Sequence, residues 1–338
     1  MVVEDLPIPV PEPRELIIRT QACAVNRLDL LQVKGGLPPP GVTSILGVEC
    51  VGTVVSRHAD CELDFAEGDQ VIALVSGGAY AEFVNADERT VFRTLPGLST
   101  AALAAVPEAF MTAYQLLFDV ANVKPGQSVL IHAAASSVGQ ALIQMCVRNG
   151  VICYGTSRTL GKCVLCKSLG AADCFLLPAA AAKFAESVKA ANNGAPMDHV
   201  LCPIGSAYFQ ENCKSLCMDG HYTLYGTMGG PGGPTDDWMP TLLAKRITLH
   251  STTLRSRSAT YKASLAKSLR DDTVCGFASS GEWVVNVHSV RPLEKVQEAH
   301  AEMASSSNAG KIVMTVTHVA DSVEFLRREL EGVLGRYK

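Results

Sequence analysis

Between residues 128 and 251, six short apolar runs alternate with segments of helical period, and no other feature narrows the possible folds as much. The apolar runs cover 128–132, 151–156, 173–176, 198–203, 221–225 and 247–251, and helical patterns fill 138–149, 161–169, 180–192, 207–217 and 237–244. Strands that alternate with helices require parallel crossovers, so this stretch predicts an α/β, doubly wound parallel sheet. The turn signal Lys124-Pro125-Gly126 precedes it.

The flanks read differently. Residues 1–118 contain short strand-like runs at 15–21, 48–56, 70–75 and 80–85, broken by Pro and Gly clusters, which predicts a β-rich domain. Residues 119–254 form the candidate dinucleotide domain. Residues 255–317 add a helix, a strand at 283–287 and a final strand at 311–316, which need the first domain to pack on. In the tail, 318–338, Val319, Val323, Leu326, Leu330 and Val333 repeat on one helical face behind a capping Asp321, so an amphipathic helix is expected there.

Composition removes several function classes. With 48% hydrophobic and 18% charged residues the chain is too apolar for disorder. A net charge of −4 without a basic run leaves no footprint for nucleic acid or an anionic membrane. Residues 128–147 lack Lys, Arg, Asp and Glu, but His132, Ser136, Ser137, Gln140 and Gln144 interrupt them, and a buried strand and helix explain the stretch better than a membrane span. Twelve cysteines behind an N-terminus without a secretory signal fit free thiols in a reducing cytoplasm. Cys163-x-x-Cys166 lacks a second Cys/His knuckle, and Cys213-x-x-x-Cys217 is read as two thiols on one helix face. Both pairs are expected to be core filler, and no metal is predicted.

The chemistry is carried by two loops. His132-Ala133-Ala134-Ala135-Ser136-Ser137-Val138-Gly139 joins the first run of the α/β half to its helix, where small residues and helix N–H groups can seat a pyrophosphate. Only Gly139 remains of the usual three glycines. The second run ends in Tyr154-Gly155-Thr156-Ser157-Arg158-Thr159, followed by Lys162. The carboxylate that would hold the ribose hydroxyls of NAD is missing, whereas Arg158 and Lys162 can meet a 2′-phosphate, so the expected cofactor is NADPH.

With these loops in place, a longer series of blocks becomes informative: VNRLD, LPPPG, ILGVE, VPEAFMTAYQLL, KPGQSVLIHAAASSVGQALIQ, KSLGAA, YGTMGG, LRSR and NAGKIV. In this order they resemble the zinc-independent, zeta-crystallin-like quinone oxidoreductases of the medium-chain dehydrogenase/reductase superfamily, most nearly the tumour-suppressor-inducible branch. The likeness implies a GroES-like catalytic domain around a Rossmann NADPH-binding domain, a homodimer, and hydride transfer from NADPH to small quinones without zinc. It implies catalytic roles for Asn26 and Ser136. Cofactor contacts are implied for Thr112, Ser136, Ser137, Val138, Gly139, Arg158, Lys162, Tyr225, Gly226, Met228, Gly229, Leu254, Arg255, Asn308, Gly310 and Lys311.

The departures also carry expectations. Zinc-dependent members would show a Cys within 23–29 and a His before Glu49, and this chain has Asn26 and Val48. Leu37 stands near the place of a family Tyr, Leu177 replaces another, Cys202 an Asp and Ser137 a Gly. The N-terminus starts short of the family pattern. Two rivals to the quinone reading are reduction of an activated C=C bond in an enone or enal, and a non-catalytic NADPH-binding protein.

Overall fold

The computed structural model describes residues 3–36, 38–177, 183–230, 232, 238–273, 276–277 and 282–317. Leu37, the alanine run at 179–182 and the tail helix expected at 318–338 lie outside the described residues. The chain divides into two compact units. The first comprises 1–108, 258–267 and 285–338, and the second 109–257 and 268–284.

Unit 1 is organised by one long strand, β1 (Glu15–Val25), whose run LIIR and alternating short residues suit a pleated, buried surface. It pairs antiparallel along one edge with β2 (Glu49–Arg57). Its other edge is shared, with β4 (Phe83–Asp87) on Glu15–Arg19 and β13 (Lys311–Thr315) on Ala22–Val25. Around this centre lie β3 (Gln70–Leu74), β5 (Val91–Arg93) and β12 (Val287–Pro292), giving the order β12-β13-β1-β2-β3-β5. The core takes Leu16, Ile18, Val54 and Met314 from the sheet, and Val296, Ala299 and Met303 from the helix Val296–Ser305. The final strand thus returns to the first domain, as its lack of a local partner requires.

Unit 2 holds the parallel sheet: β6 (Ser128–Ile131), β7 (Ile152–Ser157), β8 (Asp173–Leu176), β9 (Met197–Cys202), β10 (Leu216–Leu224) and β11 (Thr248–Ser251), in the order β11-β10-β9-β6-β7-β8. Every pair is parallel. The chain starts in the middle and winds out both ways, so strand order reverses between β6 and β9, the place where such sheets bind ligands beyond their strand ends. The apparently membrane-length stretch is β6 plus the helix Ser137–Arg148. No helix among the described residues is long and apolar enough to cross a membrane.

Two local expectations are corrected. The strand expected at 283–287 lies further on, at Val287–Pro292. Trp283 is instead buried beside Phe110, with ring centroids 5.0 Å apart, and the Arg148 guanidinium covers its ring at 4.2 Å. Burying an indole contributes more than extending a short edge strand. Cys213 and Cys217 do not share a helix face, because the helix Phe209–Ser215 ends before Cys217, which belongs to β10.

Candidate cofactor and active site

In unit 2 the loop after β6 is built by backbone bonds. Ala133 adopts a left-handed φ of 50°, the Ser136 N–H donates to Ala133 O at 2.9 Å, and the Ala134 N–H donates to Thr156 O on β7 at 3.0 Å. Ser136 caps the helix Ser137–Arg148, its Oγ accepting from the Gly139 N–H at 3.1 Å. That use occupies a lone pair and leaves the hydroxyl hydrogen to donate elsewhere. Helix geometry gives the N–H groups of Ser137 and Val138 no intrahelical acceptor, and they lie with the positive helix end at the switch point.

Gly139 is required by packing rather than by φ. A Cβ there would lie 2.5 Å from Ala134 O and 2.7 Å from Ala133 O. Ser137 is the first helical residue and has no left-handed φ, so its backbone does not need glycine. Gly139→Ala should cost about 2 kcal/mol and weaken pyridine nucleotide binding along with it; thermal melts and titrations of the variant measure both.

The neighbouring strand ends complete this part of unit 2. β7 ends at buried Ser157 and runs into exposed Arg158, and Thr159 caps the helix Leu160–Ser168 through the Lys162 N–H at 3.4 Å. No carboxylate lies in this turn. After β10, Tyr225, Gly226, Met228 and Gly229 fold over the end of β9, with the Met228 N–H on Pro203 O and the Gly229 N–H on Ile204 O, both at 2.8 Å. The Pro203–Gly205 turn, which sequence reasoning missed, therefore supports the predicted YGTMG segment. Leu254 is buried and Arg255 half-buried in the turn after β11, and Thr112 is buried in the helix Pro107–Tyr114.

Beneath the loop, His132 is fully buried, bonded to Thr156 Oγ1 at 2.8 Å and Asn212 Oδ1 at 2.6 Å, among the rings of Phe184 and Tyr208. Burial drives its pKa down to about 4, against the pull of Asn212. The ring is neutral and structural at physiological pH.

Unit 1 carries the second group of predicted residues. Asn26 follows β1 and is the N-cap of the helix Arg27–Val33. Its Nδ2 donates to Glu49 Oε1 at 2.8 Å, and its Oδ1 accepts from Lys311 Nζ at 2.7 Å. Lys311, 1% exposed, also meets Glu49 at 2.8 Å and Glu108 at 3.3 Å. Burial opposes its charge, but Glu49 and Glu108 outweigh that and hold the amine above its ordinary pKa. Asp29 accepts from the Asn26 N–H at 2.7 Å and the Tyr80 hydroxyl at 3.0 Å, yet burial lifts its carboxyl to about 6.

Lys311 Nζ is thus spent inside unit 1. Asn308 Nδ2 donates to Gly310 O at 2.9 Å, and Gly310, at φ 82°, has Asn286 O where a Cβ would stand. These three form the turn into β13. Sequence reasoning missed Glu49 and Asp29 as partners of Asn26, Glu108 as a partner of Lys311 and Tyr80 as a partner of Asp29. The available signal was a charged residue at the head of an apolar run, as in Glu49-Cys50-Val51 and Lys311-Ile312-Val313.

Zinc does not fit here. Val48, 2% exposed, offers no ligand, the Asn26 amide is used on both sides, and the Lys311 ammonium already neutralises Glu49. Among the described residues, no group of three His, Cys, Asp or Glu can hold a metal ion.

Known proteins share both halves of this arrangement. The alcohol dehydrogenase GroES-like domain family matches residues 12–97, and the zinc-binding dehydrogenase family matches 169–314. The chain is 35% identical to a pikromycin polyketide synthase component of Streptomyces venezuelae over 63% of its own length and 6% of that protein's. It spans less than two thirds of the length of the curated relatives it matches. A mycobacterial protein solved in complex with NADPH superposes with a TM-score of 0.81 at 28% identity, covering 92% of this chain and 94% of the other. A mycobacterial quinone oxidoreductase superposes at 0.76 with the same identity and coverage. GroES-like and nucleotide-binding segments in this order, on these two sheets, make the chain a member of the medium-chain dehydrogenase/reductase superfamily.

Proposed function

We propose that the protein is an NADPH-dependent, zinc-independent reductase of small quinones, of the zeta-crystallin-like, tumour-suppressor-inducible kind. The observation that carries the cofactor half is the sequence at the end of β7, where residues 157–162 include Arg158 and Lys162 and no Asp or Glu. The likeness to a mycobacterial quinone oxidoreductase supports the substrate class. In this reading the N–H groups of Ser137 and Val138 hold the pyrophosphate, Arg158 and Lys162 the 2′-phosphate, and Thr112, Tyr225–Gly229, Leu254 and Arg255 the rest. Small quinones are the partner, the assembly is a homodimer and the location cytoplasmic.

NADPH, when bound, supplies the hydride. The protein's task is then to orient the substrate and offer a hydrogen bond to the oxygen on which negative charge grows. Ser136 is the better donor, because its capping bond leaves the hydroxyl hydrogen free to act. The Asn26 amide is committed to Glu49 and Lys311 and serves chiefly to hold its own segment. A quinol anion is a comparatively stable product, so no dedicated general acid is needed.

The test is a titration with NADPH and NADH. NADPH should bind tighter, and Arg158→Ala or Lys162→Ala should each weaken NADPH about tenfold, the worth of one charge-assisted hydrogen bond, leaving NADH unaffected. Turnover with 1,4-benzoquinone should resist chelators. Equal affinity for both nucleotides with unaltered variants overturns the cofactor assignment. A second reading, reduction of an activated C=C bond, uses the same cofactor geometry; faster turnover of an enal than of a quinone decides for it. Binding without turnover of either marks a non-catalytic NADPH-binding protein.

A further inference from the structure

The chain has eight histidines, and three of them stand side by side in unit 2. His199 on β9 is the register partner of His221 on β10, and Thr223, two residues further along β10, is the register partner of His250 on β11. Residues two apart on a strand share a face, as do register partners on neighbouring strands, so all three imidazoles lie on one face of the sheet. The rings are nearly parallel: the centroids of His199 and His221 are 4.9 Å apart at 15°, and those of His221 and His250 5.4 Å apart at 16°. His221 and His250 are half-buried, and β11 is the last strand on its side of the sheet, so this end of the row reaches solvent.

The row carries nitrogen lone pairs that the fold leaves unused. His221 Nδ1 and His250 Nε2 meet at 3.1 Å, a contact that takes one proton and one lone pair. His199 Nε2 lies 3.0 Å from Gln127 Oε1; an amide oxygen only accepts, so Nε2 carries the proton and Nδ1 a bare lone pair. That Nδ1 is buried without a hydrogen-bond partner, and so is Thr223 Oγ1 on the same face. Carboxylates of β9 and β10 are engaged elsewhere: Asp219 holds Arg246 at 2.6 and 2.7 Å, and Asp198 accepts from the Ser128 N–H and hydroxyl at 2.7 and 2.9 Å.

We propose that His221 and His250 form a two-imidazole site for a divalent transition ion of the nickel and copper class, which clamps the edge strand β11 to β10. Neutral imidazole is a ligand that such ions favour. Two nitrogens about 2.1 Å from one ion stand about 3.0 Å apart at a right angle and about 3.4 Å apart at the tetrahedral angle. The 3.1 Å separation therefore suits an octahedral or tetragonal ion better than tetrahedral zinc. On binding, the shared proton moves to the other nitrogen of its own ring, both facing nitrogens donate to the ion, and water fills the remaining positions. The protein supplies two ligands, fewer than the three-residue groups that are absent among the described residues. Both histidines lie within their strands rather than in the loops that follow, so the ion takes no part in turnover, and the chelator resistance expected above stands.

Tag-free, full-length protein is titrated with nickel chloride in a calorimeter, and backbone hydrogen exchange is followed with and without Ni2+. One ion should bind per chain. His221→Asn and His250→Asn should each weaken binding about tenfold or more. His288→Asn, which removes a unit 1 imidazole paired with Glu302 at 3.2 Å, should leave it unaltered. Saturating Ni2+ should slow amide exchange at residues 248–251 about tenfold in the parent and leave it unchanged in His250→Asn. Tryptophan emission shows whether each variant folds, and if one does not, the other decides. Parental affinity in the folded histidine variants of the pair, or its loss in His288→Asn, overturns the site. Binding that needs His221 and His250 but leaves exchange at 248–251 unaltered overturns the clamp. Neither readout involves a nucleotide, so both stand whether or not the protein binds NADPH.

Discussion

Lys311→Met should destabilise the protein by about 3–5 kcal/mol, the cost of stranding a buried charge whose partner has been removed. Glu49 is fully buried and its carboxylate would face Glu108 without the ammonium that now lies 2.8 Å away. Burial already raises the Glu49 pKa with Lys311 in place. For a unit of this size the loss corresponds to a melting temperature lower by about 10 °C. Glu49→Gln added to Lys311→Met should recover a large part of it, because a neutral amide still accepts from Asn26 and no longer requires a counter-charge. Thermal unfolding of the single and double variants measures this. A single variant as stable as the parent would show that the cluster is not held by its charges.

Acid should weaken unit 2 strongly between pH 6.5 and 4. His132 and His199 both have pKa values lowered to about 4, chiefly by burial, and for His199 also by His221. In the unfolded chain each takes up its proton near pH 6.5. The unfolded state therefore binds more protons in this window, and stability present above pH 6.5 is lost as pH falls toward 4. Every pH unit that separates the folded from the unfolded value is worth about 1.4 kcal/mol, so the loss comes to about 3 kcal/mol for each histidine. His250, also lowered, adds to the same trend.

Asp29 in unit 1 acts oppositely. Its carboxyl is raised to about 6, so the folded state binds the extra proton and unit 1 gains as pH falls through 6 toward 4. Trp238 and Trp283, the two tryptophans of the chain, both belong to unit 2, so their fluorescence reports that unit. Urea midpoints followed by tryptophan emission should fall steeply from pH 7.5 to 5, and much less in a His132→Gln/His199→Gln double variant. An equal fall in that variant would assign the acid sensitivity to other groups.

Neither the Lys311 cluster nor the buried histidines could be read from local pattern, although the framework that holds them could. The alternation of apolar runs with helical periods located all six strands of the parallel sheet to within a few residues, except the early start of β10, because strand-to-helix alternation admits one kind of layering. The strand expected at 283–287 failed because a distant aromatic partner, Phe110, decided where Trp283 would be buried. Local period carries no record of such a contact.

The candidate site divides in the same way. Residue types in their order along the chain were enough to specify the loop after β6, the missing carboxylate after β7 and the missing zinc ligands, since each is a matter of which residue occupies a position in a strand–turn–helix order. What those residues are free to do was set only when the chain folded. Folding committed Lys311 and Asn26 to a buried carboxylate, left the Ser136 hydroxyl able to donate, and made Gly139 obligatory through two carbonyl oxygens. The physical reason is that a buried polar group takes its properties from partners that satisfy or oppose its charge, and those partners come from segments far apart in the chain.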